Sequence, residues 1–137
     1  MEYAIIPLLR YADFNGRARR REYWSFQALL AIVFLVLLAA LAMSEFSPVA
    51  SAVLGIFWIA TLMPRVAVAI RRMHDLNWSA VWLFVPTVFP LLGLAVAALL
   101  FSEDGTKGRN LYGPDPKGRP SDPDAPEPVR LPRRVGA

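Results

Sequence analysis

Long stretches without a charged side chain restrict most strongly how this chain can fold. They run from Trp24 to Ser44, from Phe46 to Pro64 and from Leu76 to Ser102. An α-helix rises about 1.5 Å per residue, so roughly 20 apolar residues cross the ~30 Å hydrocarbon core of a bilayer. Each stretch is therefore long enough to span a membrane.

The first stretch is apolar on every side of a helix, which is typical of a helix inside a large protein or in lipid. A chain of 137 residues cannot bury three such helices in water. The sequence therefore predicts an all-α membrane protein. The alternative for this stretch is a cleaved signal peptide, with Arg17–Arg21 as its basic part and Ala40–Ala42 as its cleavage site. Apolar regions of signal peptides run about 7–15 residues, so a retained helix is favoured.

The predicted organisation has four parts. These are a basic N-terminal arm (1–23), a transmembrane domain (24–101, with apolar segments at about 24–43, 48–70 and 78–101), a polar motif loop (102–117) and a tail (118–137). The start of the arm is apolar enough for a short amphipathic helix at the membrane surface. Asn15-Gly16 is a turn signal, and either residue could cap a helix that runs through Arg17 into the first span.

The placement of Lys and Arg predicts the orientation. The arm holds five Arg, the 65–77 region holds three, and the connector between the first two segments holds none. This asymmetry places the N-terminus in the cytoplasm. Pro86, Pro90 and Gly93 interrupt the third segment, which is therefore either a kinked span or a re-entrant hairpin. The side of the tail stays open between these two alternatives.

The tail has a composition that opposes folding. Residues 114–137 hold seven of the twelve prolines, mixed with charges of both signs. No apolar run there could bury enough surface to offset the entropy of ordering, so we predict a disordered tail.

Composition also excludes several kinds of chemistry. Without Cys, the chain cannot hold a disulfide, an iron–sulfur cluster or a thiol nucleophile, and a single His argues against a zinc site. We find no nucleophile–base pair and no phosphate-binding glycine loop, so no catalytic residue, cofactor or metal is assigned. Nucleic acid is a poor partner, because the Arg-rich arm adjoins a membrane helix and the net charge is only +4.

Three polar clusters remain as candidate sites. If the first cluster is helical, Arg17, Arg20, Arg21 and Trp24 share one face. The second cluster is Arg71-Arg72-Met73-His74-Asp75, in which Asp75 could pair with Arg71 four residues earlier. Glu22 and Asp75 are also natural partners for Arg residues across the two segments. The third cluster is the turn-rich loop that contains Asn110 and Tyr112.

Three features of the second segment predict how it packs. Ser47, Ser51 and Gly55 recur every four positions, a pattern that lets membrane helices approach closely, within the chain or between copies. Pro64 predicts a kink. Arg65 lies near the end of the segment, from which we expect its side chain to reach the membrane interface.

Taken together, these motifs resemble the DUF805 family of small bacterial inner-membrane proteins. The resemblance rests on GRARRREYW at 16–24, RRMHD at 71–75 and GRNLYGPDP at 108–116, and covers about residues 12–117. The family pattern is matched at Gly16, Arg17, Arg20, Glu22, Tyr23, Trp24, Arg71, Arg72, His74, Asp75, Asn110, Tyr112, Gly113, Pro114 and Pro116. Met73 stands where the family usually has Leu, and Arg65 and the Pro-rich extension depart from the pattern. The resemblance implies a multi-pass protein of the inner membrane and no particular activity.

The leading functional hypothesis is a non-enzymatic module with a polar rim at the cytoplasmic interface. The rim would bind anionic lipid head groups, a small anion or a protein partner, and it comprises Arg17, Arg20, Glu22, Arg71, Arg72, His74, Asp75, Asn110 and Tyr112. One alternative is a small transporter or channel subunit that works as an oligomer. Another is a lipid-acting intramembrane enzyme with His74 as its general base.

Overall fold

The computed structural model describes residues 2–83 and 102–121. These residues form α1 (Glu2–Leu9), α2 (Arg20–Met43), α3 (Pro48–Asp75) and a short 3₁₀ helix (Ala80–Leu83). In these two ranges the only β-type pairing is an isolated bridge between Asn110 and Gly113. The prediction of an all-helical chain is therefore confirmed for the described residues.

Helices α2 and α3 form an antiparallel hairpin with a very short connector. Glu45 and Phe46 both adopt left-handed backbone conformations, with φ of 53° and 60°, which reverse the chain. The Ser47 hydroxyl then accepts a hydrogen bond from the Ala50 amide (3.2 Å) and caps α3, and Pro48 occupies the first turn. These local signals end one helix and start the next within a few residues.

Both helices are long and apolar enough to cross a membrane, with 24 residues in α2 and 28 in α3. Their outward faces carry large apolar side chains that are more than 60% exposed, namely Ile32, Leu35, Val36, Ile56 and Ile59. A water-soluble protein rarely exposes so continuous an apolar surface, whereas acyl chains solvate it well. The first two predicted segments are confirmed, and α3 extends to Asp75, beyond the predicted end at residue 70.

The core of the hairpin lies near its charged end. Phe26 and Leu30 of α2 pack with Val68 and Ala69 of α3, and Ala18 joins them from the preceding segment. Pro64 lies inside α3, and the helix continues through it.

The chain that precedes α2 departs from the prediction. Helix α2 begins at Arg20, and Arg19 before it is extended (φ −70°, ψ 156°). Gly16 has a positive φ of 80°, and the Ala18 amide donates to the Arg71 carbonyl (3.0 Å) at the end of α3. Because this backbone pairs with α3, the helix predicted to run through Arg17 does not form. The helical face predicted for Arg17, Arg20, Arg21 and Trp24 is therefore wrong.

The apolar start of the arm folds as α1, as predicted. Pro7 of α1 is buried, and α1 contacts both α2 and α3. Just after α1, the Tyr11 hydroxyl donates a hydrogen bond to the Ala60 carbonyl (2.6 Å), so the arm lies along one flank of the hairpin.

The third apolar segment is only partly described. Trp78 and Ser79 are not helical, the 3₁₀ helix follows, and residues 84–101 lie outside the described residues, as do residues 122–137 of the tail. Both flanks of the gap lie at one end of the hairpin. Leu83 packs against the core around Phe26, and the Ser102 carbonyl accepts a hydrogen bond from Arg20 (3.1 Å).

This arrangement predicts where the residues after the third segment lie. Reporter domains fused at the N-terminus and after Ser121 should report the same side of the membrane, because Leu83 and Ser102 both lie beside the start of α2. A third reporter inserted at Glu45 in the connector serves as the control and should report the opposite side. If the Ser121 fusion groups with the connector fusion, the contacts around Ser102 are wrong.

Candidate functional site

The polar residues singled out in the sequence lie together at the end of the hairpin opposite the connector. The start of α2 and the end of α3 are neighbours there because the helices are antiparallel, and the loop at 102–121 lies against both. Contacts link the three sequence clusters through Arg17, Arg20, Glu22, Arg71, Arg72, His74, Asp75, Asn110 and Tyr112.

Asp75 is the centre of this cluster. Its Oδ1 accepts a hydrogen bond from Arg17 Nε (2.9 Å), and its Oδ2 accepts one from Arg72 Nη1 (2.6 Å). All three side chains are at most 2% exposed. The pairing of Asp75 with Arg71 suggested by their spacing is therefore wrong, whereas the pairing across segments is confirmed. One buried carboxylate is shared by two guanidinium groups from distant parts of the chain.

Arg17 also holds the loop. Its guanidinium donates to the carbonyls of Gly108 (2.7 Å) and Thr106. The Thr106 amide in turn donates to the Asp75 carbonyl (2.9 Å), and its hydroxyl contacts the same oxygen. The loop, about 90 residues away in sequence, thus closes over the Arg17–Asp75 pair.

Two further arginines fasten the ends of the loop. Arg72 donates to the Glu103 carbonyl, and Arg19 donates to the Pro116 carbonyl (2.9 Å). Backbone carbonyls of the loop therefore accept hydrogen bonds from guanidinium N–H groups that are not bonded to a carboxylate.

Close approach of backbone to carboxylate explains a glycine in the loop. A Cβ atom built on Gly105 would lie 1.9 Å from Asp75 Oδ2, so any other residue there would displace either the loop or the paired Asp75 carboxylate. Farther along, Asn110 Nδ2 donates to the His74 carbonyl (2.8 Å), and Asn110 Oδ1 accepts from the Tyr112 amide (2.9 Å). Asn110 thus ties its own turn to the end of α3.

His74 is engaged on two sides. Its Nδ1 lies 3.2 Å from the Gly16 carbonyl, and its ring stacks on Tyr112 with the centroids 3.8 Å apart and the planes 4° from parallel. Hydrogen bonding to that carbonyl requires the proton to be on Nδ1. The imidazole therefore joins the N-terminal segment to the loop.

Glu22 and Arg71 form a second buried pair. Arg71 Nη1 lies 3.1 Å from Glu22 Oε1, and Arg71 is completely buried. Within the described ranges, none of the three guanidinium nitrogens makes a hydrogen bond of good geometry. The two opposite charges of this pair neutralise each other between α2 and α3. The Arg71 N–H groups are left able to donate hydrogen bonds to a water or a small anion.

The loop also carries ion pairs of its own, one at the exposed Asp104 and one at Asp115, whose buried carboxylate lies 3.9 Å from Arg17 Nη2. A hydrogen bond from Lys117 Nζ (2.6 Å) lowers the pKa of the Asp104 carboxyl. Burial raises the pKa of Asp115, but hydrogen bonds from Arg119 Nε (2.7 Å) and from the Lys117 amide outweigh it, so this pKa lies below its ordinary value. Both carboxylates are thus held in their charged form.

Sequence reasoning missed Gly105, Thr106, Gly108 and Asp115. The two glycines three residues apart were a visible signal, but by composition the loop resembles a linker. Their role appears only when the position of Asp75 is known. Nowhere in the described ranges, the charged end included, are three His, Cys, Asp or Glu side chains arranged to hold a metal ion.

Comparison with known proteins agrees with the motifs. The family model described as "Protein of unknown function (DUF805)" matches residues 11–114. Inner membrane protein YhaI of Escherichia coli (strain K12) is 38% identical over 118 residues, which cover 85% of this chain and 97% of that protein. Inner membrane protein YhaH of the same strain is 34% identical over 123 residues, covering 88% of this chain and all of that protein.

No solved structure matches the chain. The family match extends over most of the sequence and includes the buried pairs Arg17–Asp75 and Glu22–Arg71. Both relatives are named as inner membrane proteins and are covered almost from end to end. With its two membrane-length helices, the chain belongs to the DUF805 family of inner-membrane proteins.

Proposed function

We propose that this protein is a non-enzymatic inner-membrane module whose charged end lies at the cytoplasmic surface and binds anionic lipid head groups. The observation that carries the proposal is the separation of charge along the hairpin. Residues 2–23, 71–83 and 102–121, at the charged end, hold eleven Lys and Arg against seven Asp and Glu, whereas the connector at the other end has only Glu45. An excess of basic side chains beside a membrane helix favours anionic lipids.

The buried and exposed cations have different parts in this proposal. Arg17 and Arg72 are committed to Asp75, so they shape the polar end. Arg20 and Arg21 are exposed on the first turn of α2, one turn before Trp24 at the edge of the apolar span. Trp and Tyr favour the head-group layer, so we expect these two arginines to lie at phosphate level. Arg109 in the loop adds a third exposed cation.

The contacts of the polar side chains favour binding over catalysis or transport. Both Asp75 oxygens accept hydrogen bonds from arginine, and His74 contacts Gly16 and Tyr112. Within the spans, the Thr61 hydroxyl donates to the Phe57 carbonyl of its own helix (2.7 Å). These groups serve structure, which supports neither a general base at His74 nor a polar path through the described helices.

The buried cluster should be essential for docking of the loop. Replacing Asp75 by Asn removes the carboxylate that both Arg17 and Arg72 contact most closely and leaves Arg17 only the more distant Asp115 (3.9 Å), which should cost about 3–5 kcal/mol of stability. The measurement is hydrogen exchange of loop amides in detergent, together with the midpoint of thermal unfolding. Asp104→Asn, which removes an exposed partner of Lys117, is the matched control and should cost at most about 1 kcal/mol. Equal effects of the two variants would contradict the assignment.

The exposed cations should determine lipid preference. In vesicles that mix phosphatidylglycerol with phosphatidylcholine, quenching of Trp fluorescence by brominated lipids measures which lipid contacts the protein. Each exposed arginine contributes about 1 kcal/mol, roughly fivefold in lipid preference. Arg20→Gln with Arg21→Gln should therefore reduce the preference for phosphatidylglycerol by more than tenfold.

Glu45→Gln, at the other end of the hairpin, should leave the lipid preference unchanged. A wild-type protein with no preference, or a double variant that retains it, would rule out head-group binding by these residues.

Acid should loosen the docking of the loop that Asp104 and Asp115 support. The pKa values of Asp104 and Asp115 lie below their ordinary values, so their contribution to loop docking is complete above about pH 4. It is lost as the pH falls through the lowered folded-state values. Loop amides should stay protected from pH 5 to 8 and lose protection toward pH 3. The double variant Asp104→Asn, Asp115→Asn should be less protected at pH 7 and change less with acid. An identical acid profile in this variant would contradict the prediction.

A further inference from the structure

One face of α3, away from the charged end, has five residues at regular helical spacing. Ser51, Gly55, Trp58, Leu62 and Arg65 are spaced by four, three, four and three residues, so on a helix they fall within about 80° of one another. This is the heptad spacing of packed helices. We refer to these five residues as the α3 seam.

Among the described residues, most of the seam has no covering side chains. Ser51 and Gly55 are exposed, Trp58 and Leu62 are 47% and 59% exposed, and no described atom lies within 4 Å of a Cβ built on Gly55. The aromatic ring of Phe34 on α2 meets Trp58 edge to face, with centroids 5.8 Å apart. The seam therefore lies along the groove between α2 and α3. Its first half has the small residues Ser51 and Gly55, and the rings of Trp58 and Phe34 border the groove next to them.

Arg65, the last residue of the seam, places a positive charge within the apolar helix α3. Its guanidinium carbon lies 4.4 Å from the ring centroid of Trp58 and 5.7 Å from that of Phe57. Side chains on a helix lean toward its N-terminus, and aromatic faces attract guanidinium groups. The side chain therefore points toward the connector end of α3 and away from the charged end. Reaching the nearer membrane interface would require the side chain to turn in the other direction, toward Asp75.

No counter-charge for Arg65 is found in the described residues. No salt bridge or hydrogen bond involves its side chain there, and its Nε is buried without a partner. Along residues 24–70 the only acid is Glu45, in the connector. An arginine within an apolar span is costly unless it is paired, and it marks a functional position by default.

We propose that the α3 seam binds a transmembrane helix of a different membrane protein, and that an Asp or Glu on that helix pairs with Arg65. Ser51 and Gly55 let the two backbones approach closely, as small residues do at membrane helix contacts. Trp58 and Phe57 hold the guanidinium in place, so the partner's carboxylate meets a cation that is already oriented. Because Arg65 is positively charged, the partner helix must supply a carboxylate.

A second copy of the chain fits the seam less well. Two parallel copies would bring Arg65 against Arg65, and Glu45 lies in the connector beyond Pro48, which is itself seventeen residues, about 25 Å, from Arg65 along α3. A lipid phosphate is also disfavoured. Arg65 lies ten residues before Asp75, about 15 Å from the charged end, and its guanidinium is turned farther away, toward Trp58, so a phosphate there would have to leave the head-group layer.

The test measures association of the full chain with synthetic transmembrane peptides by energy transfer in phosphatidylcholine vesicles at pH 8. The peptides are alike, rich in Leu and Ala, and carry Glu, Gln or Leu at one central position. The Glu peptide should associate at least tenfold more tightly than the Leu peptide. Arg65→Leu should remove that preference, and Arg65→Lys should retain part of it. Gly55→Leu should weaken binding of the Glu peptide by filling the seam.

Several outcomes would overturn the proposal. The wild-type chain could bind the Glu and Leu peptides equally, or Arg65→Leu could keep the preference. Loss of the preference when phosphatidylglycerol replaces phosphatidylcholine would identify Arg65 as a lipid site. Self-association that Gly55→Leu abolishes, without any Glu-peptide preference, would identify the seam as a contact between copies. Loop-amide protection at the charged end, which lies away from the seam, should be the same in all variants and serves as the check on folding.

Discussion

The buried ion pair between Arg17 and Asp75 is the interaction on which the charged end of this molecule depends. It joins the segment before α2 to the last residue of α3, and the same guanidinium holds the loop through the carbonyls of Thr106 and Gly108. A buried ion pair contributes little net stability compared with apolar residues, but losing one partner strands the other in a medium of low dielectric constant. The pair therefore acts mainly to specify which segments meet.

The parts of the fold that could be predicted follow from solvation. Charge-free stretches of about 20 residues have one favourable environment, which made α2 and α3 predictable from the sequence. The opposite signs of Glu22 and Asp75 against nearby arginines predicted pairing across the segments. The course of the chain at Arg17 could not be predicted, because the local pattern favours a continuous helix, and the competing hydrogen bond from Ala18 to Arg71 exists only in the folded chain. The need for glycine at position 105 likewise depends on where Asp75 lies.

The arginines at the charged end and Arg65 within α3 differ in what neutralises their charge. At the charged end, carboxylates and carbonyls of the chain itself neutralise the buried arginines, and only the outer cations face the surroundings. Within the span, Arg65 has aromatic neighbours and no carboxylate among the described residues. Sequence position alone suggested that Arg65 reaches the nearby interface. The direction in which helical side chains lean, and the two rings beside it, place the charge farther into the apolar region.

A double-mutant cycle on Arg17 and Asp75 tests the central claim most directly. The free energy of unfolding would be measured in one detergent for the wild type, Arg17→Gln, Asp75→Asn and the double variant. If the two side chains form the pair that organises this end, each single variant is strongly destabilised, and the double variant loses less than the two losses combined, with a coupling of about 1.5–3 kcal/mol. Additive losses, with a coupling of about zero, would show that the two side chains act independently and would contradict this account.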